Sequence, residues 1–441
     1  MPTETNTTPE LNHIQAGALR PRPKTYRGAY FLLRIDDRPA GREFLRRLIP
    51  ALASAADPDR PAWLATSLSF QGLKALGVPQ ESLDSFPPEF QQGMAGRAAD
   101  IGDTGENAPD QWEQPLGSPD VHIVLAAIAP DAAQFEAIVA RAHDTFSDLP
   151  GVSLIWRQDV ATLPTERDPF GFKDGIGQPA IEGSGLPATN PHEAPLKAGE
   201  FILGYQDETG DVLPGPQPDV LGRNGTYMVF RKLHTRVAAF RQYMRERATS
   251  PADEERIAAK IVGRWPSGAP MALAPEQDDP ELGAAPHRNN AFLYGDDARG
   301  LKCPLGSHVR RMHPRDSAIV GEVRLHRMLR RGTSYGPPLP QGVLEDDGAD
   351  RGIMFAFLGA HIARQFEFVQ AQWVNDGKFF GAPAEKDPLI GANDGSGQFT
   401  IPQQPIRRRM QGLPAFVVNR GGEYCFMPSL PALHWLANLD T

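Results

Sequence analysis

The chain has 441 residues and a formal charge of −9, with 40% hydrophobic and 22% charged residues. That length holds two or three domains with a sizeable core, and the acidic balance argues against a nucleic-acid binder. No apolar run reaches the ~20 residues of a membrane span, and the longest, "VHIVLAAIA" at 121–129, suits a buried strand.

In chain order, residues 1–25 read as a polar N-terminal tail. "YFLLRI" (30–35) reads as a strand. A helix is expected in "GREFLRRLIPALASA" (41–55), with Phe44, Leu45, Leu48 and Leu52 on one face. Pro50 should kink that helix or end it. "AWLATSLSF" (62–70) is a second strand, and residues 86–120 form a long functional loop. "HIVLAAIA" (122–129) precedes a helix in "DAAQFEAIVARAH", and "VSLIW" (152–156) follows as another strand. The order βαβ…βαβ is that of a ferredoxin-like unit.

Residues 159–201 are rich in Pro and Gly, and loops of that length inside compact domains are usually functional or disordered. The element order then repeats. "YMVFRK" (227–232) leads to "TRVAAFRQYMRER", with Thr235 as N-cap and Val237, Phe240 and Met244 inward. "IMFAFL" (353–358) leads to "AHIARQFEFVQAQW", striped by Ile362, Phe366, Val369 and Trp373, and the chain closes with strands "AFVV" and "EYCFM". The expected class is α+β, with two ferredoxin-like domains of antiparallel sheets and flanking helices. They span 26–158 and 226–441, on either side of a functional loop region over 159–225.

The two cysteines, Cys303 and Cys425, cannot form a disulfide framework. Together with an N-terminus lacking an apolar signal core, they point to the cytoplasm. Three segments hold residues suited to chemistry. "CPLGSHVRRMHPR" (303–315) carries Cys303, His308 and His313, spaced C-x4-H-x4-H rather than in the close pairs of a structural zinc site. A basic loop with a satisfied histidine is the plainer reading. "GFKDG" (171–175) sets an acid between glycines, either as a turn former or as a carboxylate presented to a cavity. "RLHRMLRRGTSYG" (324–336) holds arginines that serve as a solvated face or an anion clamp. Its His326 reads as a surface or core histidine. No Walker A motif, nucleophile elbow, H-E-x-x-H or strand-linked G-x-G-x-x-G is present.

Taken in order, "GFKDGIGQP", "CPLGSHVRRMHPRD" and "RMLRRGTSYG", with "GMAGRAADIGD", "ARQFEFVQAQWVND" and "DPLIG", resemble the dye-decolorising peroxidase family. The resemblance runs from about Tyr30 to Met427 and implies the same pair of ferredoxin-like domains, with haem b in the C-terminal one, one per chain. It implies His308 as the iron ligand and Asp174 as the acid–base group facing peroxide. Arg330 would be the cation that stabilises O–O heterolysis. Asp387 is the candidate acceptor for the second nitrogen of His308, or else a turn cap before Pro388. Arg315 is the candidate clamp on a haem propionate, while at least one of Arg310, Arg311 and Arg315 is expected to face solvent. Hydrogen peroxide and aromatic or dye electron donors are the implied partners, and a homo-oligomer is compatible. Trp373, Tyr335 and Trp435 are candidate electron relays, each also readable as packing. The rival within the resemblance is a haem-handling or iron-release protein, which would share His308 without rapid peroxide chemistry. Two positions depart from the family pattern: His313 stands where Asn is frequent, and Gly332 where Asn or Ser is common.

Overall fold

A computed structural model describes residues 8–57, 60–317 and 322–439. Its strands are β1 (Arg27–Ile35), β2 (Trp63–Ser69), β3 (Ile123–Ala129), β4 (Val152–Ala161), β5 (Thr226–Thr235) and β6 (Leu329–Arg330). They continue with β7 (Thr333–Tyr335), β8 (Gly352–Gly359), β9 (Gly397–Ile401), β10 (Arg408–Leu413) and β11 (Val417–Met427). Nine of them form one antiparallel sheet in the order β4-β1-β3-β2-β11-β5-β8-β6, with β7 also on β8. The first four strands are ordered 4-1-3-2. The last group, counted from β5, repeats that order. The two halves join edge to edge where Cys425 and Phe426 of β11 pair with Ser69 and Leu68 of β2.

Strand alternation sorts the apolar side chains into two cores, one on each face of this sheet. Phe31, Leu33, Leu64, Leu125, Val229, Phe357 and Phe426 face one side, against Phe44, Leu48, Phe135 and Ile138 of the helices Arg38–Leu48 and Ala132–His143. Tyr30, Leu32, Val124, Phe230, Leu358 and Cys425 face the other. A sheet covered on both faces explains why β2 is buried along its whole length, its Thr66, Ser67 and Ser69 included.

Several expectations need correction. The helix expected over 41–55 spans Arg38–Leu48 instead, and it ends two residues before Pro50 as expected, because proline cannot donate to the helical ladder. Thr235 is no N-cap: it ends β5, and its hydroxyl lies 3.3 Å from the Arg351 carbonyl oxygen. The helix begins at Val237 without a side-chain cap. Val417 and Val418 of "AFVV" and all of "EYCFM" belong to the single strand β11, bulged between Asn419 and Gly422. The helix expected over 360–373 is wound in the wider π form over Ile362–Glu367 and Val369–Val374, a geometry that recurs at functional sites. Of the supposed tail, residues 1–7 lie outside the described residues. Ile14, Ala16 and Leu19 are buried in the second core, and the Gln15 side chain bonds Thr66 and Pro428. Among the described residues no helix is long and apolar enough to cross a membrane.

Candidate active site

On the face of the first core, the second half of the sheet borders a cavity of about 820 Å³, in the range of cofactor pockets. Arg231, Leu233 and Thr235 of β5 and Ile353 and Phe355 of β8 line it. Alternation also accounts for Arg330. Leu329 packs into the opposite core, so the next side chain of β6 turns into the cavity.

His308 opens a short helix, His308–Met312, whose Val309 and Met312 line the same cavity. Two buried arginines fix that helix. Arg310 is ion-paired to Asp297 at 2.9 Å and donates to the Cys303 carbonyl at 2.7 Å. Arg311, fully buried, donates to the carbonyls of Gly306, Trp373, Asp376 and Glu385 and lies over the Phe380 ring, and burial pushes its pKa down to about 10. Arg310, Arg311 and Arg315 are all buried, so the expected solvent-facing member does not exist. Behind the helix, His308 Nδ1 lies 3.0 Å from Asp387 Oδ2. A buried carboxylate only accepts, so Nδ1 carries the proton and Nε2 is left with a free lone pair. Asp387 Oδ1 meanwhile accepts the N–H groups of Leu389 and Ile390, so both readings of Asp387 apply at once.

Asp174 lies on the loop between β4 and β5, where Gly171 and Gly175 take φ of 98° and 80°, conformations that suit glycine. Both Asp174 and Arg330 line the cavity. Arg330 accepts support from Gln178, whose Oε1 takes its backbone N–H at 3.1 Å, and its Nη2 reaches the Ile176 carbonyl at 3.4 Å. Desolvation lowers the pKa of Arg330, and the Asp174 charge opposes that shift. Among the described residues the ion pair on Asp174 is made by Arg22, at 3.8 Å, and none joins it to Arg330.

Arg315 stands outside the cavity lining. It has a positive φ of 56°, a strained position held by contacts with the Phe292 carbonyl, Asn290 and the Phe292 ring. Its Nε is buried without a partner. His313 also faces away from the cavity: Arg327 Nη1 donates to its Nε2 at 2.7 Å, and Glu193 Oε1 is 3.0 Å from the same nitrogen. The guanidinium can only donate and the carboxylate can only accept, so the two compete for the same ring nitrogen. Burial and the Arg327 charge push the His313 pKa down to about 3. Cys303 is buried among Ala259, Trp265 and Phe292, so the three candidate ligands of one segment point three ways. His326 stacks on Phe368 at 3.8 Å.

Sequence reasoning missed several charged cavity residues, Arg22, Asp168 and Arg264 among them. Arg22 was hidden in the supposed tail. Asp168, six residues before Asp174, caps the loop by accepting the Phe172 N–H at 2.8 Å. Burial, with the Asp174 charge adding to it, pushes the Asp168 pKa up to about 7.

The residues present fit a haem. The walls around His308 are apolar, with Val262, Val309, Leu389 and Ile390, as a flat macrocycle needs. Arg264 and Arg331 also line the cavity, and their hydrogen bonds go to carbonyl oxygens rather than to acids. Burial pushes both down to about 10. Buried cations without acidic partners call for an anionic ligand, and haem carries two propionates.

Comparison with known proteins gives the family and the fold. The chain is 30% identical over 396 residues to a dye-decolorizing peroxidase of Mycetinis scorodonius, covering 83% of this chain and 75% of that one. It belongs to the dye-decolorizing peroxidase family. No protein-family model matches the chain. An ancestral D-type dye-decolorizing peroxidase superposes with a TM-score of 0.84 at 30% identity, covering 96% of this chain and 98% of that one. A dye-decolorizing peroxidase in complex with 2,6-dimethoxyphenol gives 0.84 at 27% identity, over 97% and 99%. The family consists of haem-dependent oxidoreductases that use peroxide, and the paired α+β halves of the sheet are its fold.

Proposed function

We propose that this chain binds one haem b on His308, reduces hydrogen peroxide, and oxidises dyes, phenolic compounds and similar one-electron donors. The observation that carries the proposal is that His308, with its Nδ1 held by Asp387, shares one cavity with Asp174 and Arg330.

A bound haem supplies the iron at which peroxide is taken up and the store of two oxidising equivalents that donors later draw on. The protein supplies the rest. Asp387 raises the basicity of His308 by accepting its Nδ1–H. The Asp174 carboxylate takes a proton from the incoming peroxide and returns it to the departing oxygen. Arg330 carries a fixed positive charge into a desolvated site, where it stabilises the negative charge growing on that oxygen. Arg264 and Arg331, which line the cavity, are the proposed clamp on the propionates, in place of Arg315, which lies outside the lining and holds Asn290 and Phe292. The 2,6-dimethoxyphenol complex of a related peroxidase supports a phenolic donor here. The division at residues 26–158, 159–225 and 226–441 rests on the repeated strand order. A cytoplasmic location rests on two buried, unpaired cysteines.

The test is spectroscopic. Purified protein should show a Soret band and peroxide-dependent dye turnover, and His308→Ala should lose both. A Soret band unchanged in His308→Ala would remove the assignment.

A further inference from the structure

The N-terminal arm and the start of β1 are hydrogen-bonded to residues 331–334. Arg331 donates to the carbonyls of Leu19 and Arg20 at 2.6 and 3.0 Å, and Arg22 Nε donates to the Gly332 carbonyl at 2.8 Å. Tyr26 accepts the Ser334 N–H at 2.7 Å, and the Tyr30 hydroxyl is 3.2 Å from Thr333. This register carries the Arg22 guanidinium over the Tyr26 ring, 4.2 Å from its centroid, with Nη2 3.8 Å from Asp174 Oδ2. Arg22, Tyr26, Asp174 and Gly332 all line the cavity.

The Asp174 loop does little to fix its own carboxylate. A Cβ built on Gly171 or Gly175 meets nothing within 4 Å, so no neighbouring wall presses on either side of Asp174. Its side chain is 57% exposed, whereas that of Arg22 is 22% exposed and anchored at both ends. The better-held partner therefore orients the looser one. Gly332 contributes its carbonyl as the anchor at a position that offers no side chain of its own.

We infer that Arg22 is a positioning residue: the arm delivers a second cation, beside Arg330, that holds the Asp174 carboxylate toward the cavity. The inference rests on the reading of Asp174 as the proton carrier. It makes the arm part of the peroxide site rather than a tail.

The experiment compares haem-loaded wild type, Arg22→Gln, Arg22→Lys, Asp174→Asn and the Asp174→Asn/Arg22→Gln double variant. Two rates are followed optically: reaction with hydrogen peroxide, and association of cyanide with the ferric haem, in which hydrogen cyanide must yield its proton. Gln keeps a donor to the Gly332 carbonyl without the charge, and Lys keeps the charge. Arg22→Gln should slow both rates about fivefold, the scale of a partly exposed ion pair. Arg22→Lys should recover most of that loss, and Arg22→Gln should cost nothing further in the Asp174→Asn background. Wild-type rates in Arg22→Gln, equal losses in Gln and Lys, or an undiminished loss in the double variant would each overturn the inference while leaving Asp174 in place. Wild-type rates in Asp174→Asn alone would overturn the Asp174 reading and the inference with it.

Discussion

His308 and Asp387 form a hydrogen-bonded pair, Nδ1 to Oδ2 at 3.0 Å, in which the carboxylate is fully buried. Burial alone would push the Asp387 carboxyl up. The His308 hydrogen bond, the nearby Arg311 cation and the Ile390 N–H together bring it below its ordinary value. The aspartate is thus kept ionised by the helix it serves, and the geometry of the imidazole follows from that charge.

Asp387→Asn should keep the turn, since an amide oxygen can still accept the Leu389 and Ile390 N–H groups. It loses the anionic acceptor for His308. The ferric/ferrous potential of the bound haem should rise, and turnover should fall about 10–100-fold, as for other partners behind a metal ligand. A redox titration showing an unchanged potential would contradict this role.

Gly332 has room for a side chain. A Cβ there meets only Ile353 Cγ2, at 3.4 Å. Gly332→Ser should leave thermal stability nearly unchanged and quicken the peroxide reaction about 2–10-fold, the size of one modest hydrogen bond. Slower peroxide kinetics in this variant would count against a hydrogen-bonding deficit at the site.

Burial and the Arg327 charge keep His313 neutral, and it lies outside the cavity that His308 lines. His313→Asn preserves an acceptor for Arg327. Haem content and the ferric absorption spectrum should match wild type. A shifted Soret band would mean that His313 competes for the iron after all.

Glu423 gives a pH prediction unconnected with catalysis. It is buried, which pushes its carboxyl up to about 7 although the Tyr424 and Met94 N–H groups favour the charged form. With a folded pKa above the unfolded value of 4.5, the native state holds the proton more tightly. Its contribution is present in full below about pH 4.5 and is lost as pH rises through about 7, a change on the order of 2–3 kcal/mol. Glu423→Gln should therefore melt higher than wild type at pH 8 and much like it at pH 5. Equal melting temperatures for the two proteins at both pH values would refute the shift.

The sequence was most legible where periodicity and burial coincide. β1, β3 and β8 were each readable within a few residues of their bounds because apolar runs of that length have few alternatives. His308 and Asp174 were ambiguous as local motifs and took their expected roles from the resemblance carried by several segments together. Arg22 was not legible, because its meaning lies in contacts with residues more than 150 positions away. At least one of Arg310, Arg311 and Arg315 read as solvent-facing for the same reason: the carbonyls of Trp373, Asp376 and Glu385 that receive Arg311 lie more than 60 positions away. The bulge in β11 and the π winding near Phe366 reflect packing against partners that no local pattern announces.

Stopped-flow mixing of the haem-loaded protein with hydrogen peroxide tests the central claim most directly. Asp174→Asn should slow the initial haem reaction, and Arg330→Leu should slow it more, because it also removes the charge that stabilises the departing oxygen. The scale expected is about 10²–10³-fold for the arginine, as for other preorganised charge stabilisers. Near-native rates in both variants would contradict the account.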